Sequence, residues 1–543
     1  MGFLNWFTPT VFQPSFNQDS NRTSRHKQSL LSSRIAALLL VAVMGWLGLP
    51  AEIATARGLD LAPEVSTSIQ PYLDRVANQV TEFTLDNGMK FIVLERHQAP
   101  VVSCMLYAKV GAANEIDGHT GIAHYLEHLA FKGTPKIGVR DYPAEQQVLD
   151  ELDQTFDQLL AAEADGQTEQ ANRLQQRLEE LQAKAASYVK QNEYGQIIEQ
   201  AGGVGLNATT GAEATRYFYS LPANKLELWM SLESERFIEP VFREFFREKD
   251  VILEERRLRV DNSPIGLMVE KFLETAFDVH PYRRPIIGYE ADLYQATRQD
   301  IQEFYQTYYG PSNLLATVVG DVDPNQVKQF AESYFGRYQT RSAPPELIIE
   351  EPLQTAPREF TLELVSQPWY LEGYHRPALT HPDHVVYGMI ESILVGGRTT
   401  RLYKSLVEDS QVALNVGSIN GFPGDKHPNI FLLYGLTAPD HTVDEVAELF
   451  EQELARLKTE PVSPEELDRV KTQARAGLLR NLSSNQGMAS LLAEYEAKTG
   501  NWRNVFDELI AIEAVTAEDV QRVAQATFQP NNRTIGKLIS ANS

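Results

Sequence analysis

The chain repeats itself, which restricts it to a fold built from two similar halves. Thr297-Arg298-Gln299-Asp300-Ile301-Gln302 matches Thr516-Ala517-Glu518-Asp519-Val520-Gln521 at an offset of 219. At that spacing Gln306 meets Gln525, Pro311 meets Pro530 and Asn313 meets Asn532. Earlier, Glu82-Phe83-Thr84-Leu85 recurs as Glu359-Phe360-Thr361-Leu362 at an offset of 277. The two offsets differ by 58, so the first half carries an insertion of about that size.

A segment at about 144–192 fits that insertion, being rich in Gln, Glu, Ala and Leu and free of Pro. Leu149, Leu152, Phe156, Leu159 and Leu160 recur at helical spacing, as do Leu174, Leu178 and Leu181, with Asp165-Gly166 as a turn between them. The pattern predicts an antiparallel helical hairpin, either a passive arm or an element that docks a partner or gates a cleft. Strand-like runs such as Lys90–Leu94 and Leu314–Val319 alternate with helical patterns, and Thr297 and Thr516 have the form of N-caps. The predicted class is α+β, with two homologous domains, each a mixed sheet covered by helices. They fall at 79–342 and 358–543, joined by a Pro-rich linker at 343–357.

Composition narrows the function. A formal charge of −24 over 543 residues argues against nucleic-acid binding, which needs a basic face. It is compatible with attracting basic polypeptides. Cys104 is the single cysteine, so an internal disulfide and a cysteine metal cluster are both excluded. The N-terminal region has its own character. Arg22, Arg25, Lys27 and Arg34 precede the apolar run Ile35–Leu49, and Ala54-Thr55-Ala56 follows. Basic, apolar and small residues in that order predict an export signal over 1–56, or an anchor if it stays uncleaved, with a linker at 57–78. An organelle transit segment is the alternative, since Asp19 is the only acid among the first 34 residues. Membrane contact is expected only through this segment.

Chemistry concentrates in His124-Tyr125-Leu126-Glu127-His128. On a helix, residues three and four apart share a face, so both imidazoles and the carboxylate converge. Neutral imidazoles suit zinc, and a carboxylate beside the ion can take a proton from a water it polarises. The order H-x-x-E-H is the inverzincin signature. Shifted by 277, the motif lands on Arg401, Lys404 and Ser405, so the second half repeats the scaffold without the chemistry. A third ligand should be a carboxylate. The acidic helix Arg247–Arg257 offers Glu248, Glu254 and Glu255, which composition does not separate.

The pentad, Phe131-Lys132-Gly133-Thr134 and this acidic helix resemble the M16 (pitrilysin and mitochondrial-processing-peptidase) family of zinc peptidases. Asn207-Ala208-Thr209-Thr210, Pro281-Tyr282, Ile287-Gly288 and Gly396-Gly397 before Arg401-Leu402-Tyr403 extend the likeness over about 79–540. The resemblance implies one zinc ion held by His124, His128 and Glu255, with Glu127 as base and Glu248 supporting the site. It also implies that Asn207, Ala208 and Thr209 lie on an edge strand that binds extended peptides by β-augmentation. Two related domains forming a half-clamshell are a further implication. Family members complete the cleft with an Arg and a Tyr spaced R-x-x-x-x-x-x-Y. The corresponding positions here are Val407 and Leu414, so the pair is missing. The expected assembly is therefore a heterodimer with a zinc-less homologue that carries the Arg/Tyr pair. The expected activity is a zinc-dependent endopeptidase, with a catalytically silent assembly subunit as the alternative.

Overall fold

The computed structural model describes residues 10–11 and 70–541. The apolar run Ile35–Leu49 and Ala54-Thr55-Ala56 lie outside the described residues. A helix, Gln70–Asn78, occupies part of the segment assigned as the 57–78 linker, with Pro71 at a first-turn position that costs no hydrogen bond.

Two sheets dominate. The first holds β1 (Thr10–Val11), β2 (Val80–Thr84), β3 (Lys90–Glu95), β4 (Val101–Ala108), β5 (Val204–Thr210), β6 (Thr215–Pro222) and β7 (Leu314–Gly320). Their order is β1-β5-β6-β4-β7-β3-β2. The second holds β8 (Arg358–Leu364), β9 (Trp369–Arg376), β10 (Ala413–Phe422), β11 (Asn429–Thr437) and β12 (Arg533–Ser540), in the order β10-β11-β9-β12-β8. Without β1 and β2 the two orders are the same. Each has one parallel pair at the same place, β3 with β7 and β8 with β12. The α+β class with two helix-covered sheets is as predicted, and residues 343–357 between them carry no helix or strand.

The ladders correct the register of the repeat. Leu314 and Arg533, 219 apart, face Ala108 and Tyr374, which are 266 apart rather than 277. The match of Glu82–Leu85 with Glu359–Leu362 pairs β2 with β8, but β8 stands where β3 stands. Four residues of strand alternation fit any half-buried strand, so the match had no power to fix register. Ala108 and Tyr374 in turn face Thr215 and Phe431. Three residues on, Phe218 and Tyr434 face Asn207 and Gly417, which are 210 apart. The offset thus drops by 56 between β4 and β5, where the insertion lies, close to the 58 expected.

That insertion is the predicted hairpin, α2 (Tyr142–Ala164) and α3 (Thr168–Tyr188), turning at Asp165–Gln167. It is anchored midway along α2. Phe156 meets Phe246 edge to face at 5.0 Å, and Arg298 grips Asp153 through Nε and Nη2 at 3.0 and 2.6 Å. The helix after β4 is α1 (Ile122–Leu129), which carries the pentad. Its counterpart after β9 is His384–Leu394, whose buried face includes Val386, Met389, Ile390 and Ile393. Arg401, Lys404 and Ser405 belong instead to the helical segment just before β10. The second half is still without the metal pattern, for a different set of residues.

Each half lends a helix to the other's sheet. α5 (Pro264–Ala276) leaves the first half and packs on β8 and β12. Its Met268, Phe272, Leu273 and Ala276 share a core with Leu371, Ile430, Leu432 and Leu538. Reciprocally, α6 (Asn485–Thr499) of the second half packs on β4 and β7, where Thr317 Oγ1 donates to Ala489 O at 3.0 Å. Ser263 and Ser484 cap the two helices in the same way, accepting from Gly266 N and Gly487 N. Burying a Phe, Met or Leu side chain contributes about 1.5–3 kcal/mol, whereas a rim ion pair gives about 0–1 kcal/mol. The exchanged helices therefore hold the halves together.

A charged cluster seals the seam. Lys498 Nζ, on α6, lies 2.7 Å from Glu494 and 3.3 Å from Glu213, and pairs with Asp425. Burial opposes the Glu494 charge, but Arg216 and Lys498 outweigh it and bring the carboxyl down to about 2. A carboxyl with a folded value below its unfolded one contributes stability in full above about 4.5, and loses it as pH falls toward 2. Lys498→Met strands buried acids and should cost about 3 kcal/mol, read as a lower urea midpoint at pH 7. The gap between variant and wild type should narrow as pH falls below about 4.5. An unchanged midpoint at pH 7 would show that the cluster does not hold the seam.

Candidate metal centre

α1 begins abruptly, and Gly121 makes that possible. It sits at φ 86°, and a Cβ there would lie 2.6 Å from Ile287 O and 3.1 Å from Gly288 Cα. Gly121 has no side chain to cap the helix, so Glu115 does so from outside. Its Oε2 accepts from Gly121 N at 2.9 Å and its Oε1 from Ala123 N at 2.8 Å. Arg284 Nη2 donates to Glu115 O at 2.7 Å, and Thr120 is tied to Asp292 and to Tyr289 N. This lattice explains Ile287-Gly288 in the sequence: the loop must approach the start of α1 backbone to backbone.

All eight residues of α1 are buried, against β5 on one side and α4 (Phe245–Arg256) on the other. The His124 and His128 rings meet at 78° with centroids 4.7 Å apart. Glu255 Oε2 lies 3.8 Å from His124 Nε2 and 3.6 Å from His128 Nε2. Those gaps are too long for hydrogen bonds and near the ~3.4 Å ligand–ligand edge of a tetrahedral ion with ~2.1 Å bonds. Neither ring nitrogen of the fully buried His124 has a hydrogen-bond partner. Burial holds His124 well below its ordinary pKa, with His128 and Arg259 adding to the effect, so it presents a lone pair. Two imidazoles and one carboxylate oxygen, converging on one another, fit a divalent cation of the zinc class.

The supporting side chains orient these donors. His128 Nδ1 lies 3.3 Å from Glu248 Oε2, and Lys132 Nζ lies 2.5 Å from Glu248 Oε1. Glu248 carries burial's penalty, yet His128 and Lys132 bring its carboxyl below the usual value. It backs His128 from behind rather than facing the shared donor space. Arg259 Nε holds Glu255 Oε1 at 3.0 Å, which leaves Oε2 for the metal. Arg259 arrives there through a π-helical turn, Arg257–Asp261. Glu254 is about two-thirds exposed and pairs with Arg257, so the three acids of this helix take separate roles.

Glu127 is fully buried beside the donors. Its Oε2 accepts from Thr210 Oγ1, while Oε1 has no partner. Burial pushes the Glu127 carboxyl up to about 8, Thr210 and Arg259 working against that and Glu255 with it. A cation in the neighbouring site would favour the ionised form. Asn207, Ala208 and Thr209 lie on β5, which crosses α1 with Ala208 and Thr210 buried and Asn207 and Thr209 half-buried. On its outer side β5 pairs antiparallel with β1, Thr10 facing Thr210 and Val11 facing Thr209. That edge therefore accepts an added strand. Sequence reasoning did not assign Glu115, Lys132, Arg259 or Thr210. The i,i+4 spacing of Glu255 and Arg259 was a usable signal; the spacing of Glu115 from α1 was not.

Comparison with known proteins is consistent with this geometry. The profile of insulinase (peptidase family M16) matches residues 90–162 and 167–290, and that of the peptidase M16 inactive domain matches 295–474. The chain is 28% identical to the zinc protease PqqE of Helicobacter pylori over 458 residues, 83% of this chain and 90% of that protein. It is 22% identical to the uncharacterized zinc protease YmxG of Bacillus subtilis, over 83% of this chain and 96% of that one. Among solved structures, a protease from Helicobacter pylori superposes with a TM-score of 0.72 at 27% identity, covering 85% of this chain and 99% of its own. The peptidase M16 inactive domain from Pseudomonas fluorescens shares the fold, with a TM-score of 0.68 at 16% identity over 86% of this chain and 98% of its own.

Two glycines offer a controlled test of how α1 is positioned. Gly118 and Gly121 have φ of 87° and 86°, but a Cβ at Gly118 meets nothing within 4 Å. Gly118→Ala should cost about 1–2 kcal/mol, the left-handed backbone penalty alone. Gly121→Ala should cost about 2 kcal/mol more, because its Cβ meets backbone on both sides. Equal losses in urea unfolding would remove the close approach as a determinant of helix position.

Proposed function

The chain belongs to the M16 peptidase family, and on that footing we propose that it is a zinc-dependent endopeptidase acting on extended polypeptide segments. The observation that carries this reading is the convergence of His124, His128 and Glu255 beside an unpartnered Glu127 Oε1. His124 Nε2, His128 Nε2 and Glu255 Oε2 would hold one ion, with Glu248 and Arg259 fixing the second atoms of His128 and Glu255. Zinc at such a site supplies Lewis acidity, polarising a carbonyl and lowering the pKa of water. Glu127 Oε1 is the base: it accepts the proton of the attacking water and delivers it to the leaving amine. Peptide lies along the outer edge of β5 at Asn207, Ala208 and Thr209, taking the place that β1 holds in this structure.

A homologous partner completes this site. Val407 and Leu414 stand where the family's Arg and Tyr are expected, so the chain acts with a zinc-less homologue supplying that pair. Residues 1–56 direct export to a periplasmic or lumenal space. Among the described residues no helix is long and apolar enough to cross a membrane. The second reading, a catalytically silent assembly subunit, has one point in its favour: the matched family includes a domain described as inactive. The intact donor set weighs against it.

Purified protein with supplied zinc separates the two. Glu255→Gln should lose zinc, whereas Glu254→Gln should retain it. Glu127→Gln should keep zinc and lose turnover of a quenched fluorescent peptide by at least about 100-fold, measured with the partner present. Wild-type protein that stays zinc-free, or Glu127→Gln with full turnover, would contradict the reading.

A further inference from the structure

β5 does two things at one residue. Its outer edge pairs with an added strand at Thr209 and Thr210, and the Thr210 side chain turns inward to the metal helix. Thr210 is fully buried, and its hydroxyl donates to Glu127 Oε2. That leaves Oε1 as the single carboxylate atom of Glu127 without a partner. On the ladder's other side Thr210 faces Thr215 of β6, so its backbone is held on both flanks. A carboxylate ends a side chain with three rotatable bonds. In a pocket of imidazoles and other acids, only a directed hydrogen bond fixes which oxygen points where.

We propose that Thr210 is a positioning residue for hydrolysis: its hydroxyl locks Glu127 so that Oε1 alone faces the attacking water. This rests on the peptidase reading of the same site. The consequence is a mechanical link between substrate and base, because a peptide added to β5 bears on the residue that orients Glu127. Chain and base are thereby set in one register, with no further group between them. The hydroxyl is spent on Glu127 Oε2, and Thr210 is not one of the three converging metal donors. Its loss should act on turnover and not on binding.

Thr210→Val and Thr210→Ser distinguish positioning from packing. Valine keeps the β-branched shape and removes the donor; serine keeps the donor. With zinc bound, Thr210→Val should lower kcat by about 10–100-fold with KM within about twofold, and Thr210→Ser should recover most of the rate. A second readout is affinity for acetohydroxamate, a metal-chelating probe whose N–O–H group also needs the base as acceptor. It should weaken several-fold in Thr210→Val and stay wild-type-like in Thr210→Ser, at equal zinc content. Crystal structures of both variants provide the third. The Glu127 carboxyl should leave its wild-type position in the valine variant only. An unmoved carboxyl, or a wild-type kcat in Thr210→Val, would overturn the proposal. Wild-type protein without zinc or turnover would instead overturn the peptidase reading; the carboxyl positions then decide the Thr210 assignment alone.

Discussion

Burying two imidazoles and two carboxylates in one pocket is the costly act around which this protein is arranged. Each group stripped of water without a partner costs several kcal/mol, so such a pocket persists only if its neighbours offset that cost. They do so one atom at a time. Glu248 stands behind His128, Arg259 takes Glu255 Oε1, and Thr210 takes Glu127 Oε2. His124 Nε2, His128 Nε2 and Glu255 Oε2 converge on one small volume, and Glu127 Oε1 on the same helix has no partner. The residual deficit has the shape and sign that a divalent cation and a water would fill.

Holding α1 in place requires the rest of the fold. Glu115 and Gly121 set where the helix starts, the loop at Gly288 presses against that start, and β5 and α4 enclose the flanks. Those elements belong to a sheet that the second half helps to cover through α6, while α5 covers the second sheet in return. The second half therefore contributes structure to the site although its counterpart helix, His384–Leu394, carries Met389, Ile390 and Ile393 on its buried face and no metal-ligand pattern there. Duplication supplied two equivalent sheets; the exchange of helices made them inseparable.

Much of this was legible in the chain. The repeat followed from residue matches at a fixed offset, and the α+β class and the hairpin at 144–192 from periodicity, because helical spacing persists over whole elements. The N-caps at Thr297 and Thr516 are present as read, each within a capping box. The pentad placed His124, Glu127 and His128 together, since three- and four-residue spacing fixes a face on any helix. The register of the first strand was misread, because alternation in four residues is shared by most strands. Glu115, Thr210 and Arg259 were not assigned, since each acts across a tertiary contact between elements or at a helix end. Separating Glu255 from Glu254 likewise needed coordinates. Adjacent residues on a helix differ by about 100° in direction, and only packing says which one faces inward.

The account's central claim concerns where a metal sits and which atoms hold it. Crystals of the protein equilibrated with zinc, measured on both sides of the zinc absorption edge, test it directly. The prediction is one anomalous peak within about 2.0–2.2 Å of His124 Nε2, His128 Nε2 and Glu255 Oε2, with Glu127 beside it and outside bonding distance. A peak elsewhere, a peak that replaces Glu255 with Glu248 or Glu254, or no peak at this pocket would contradict it.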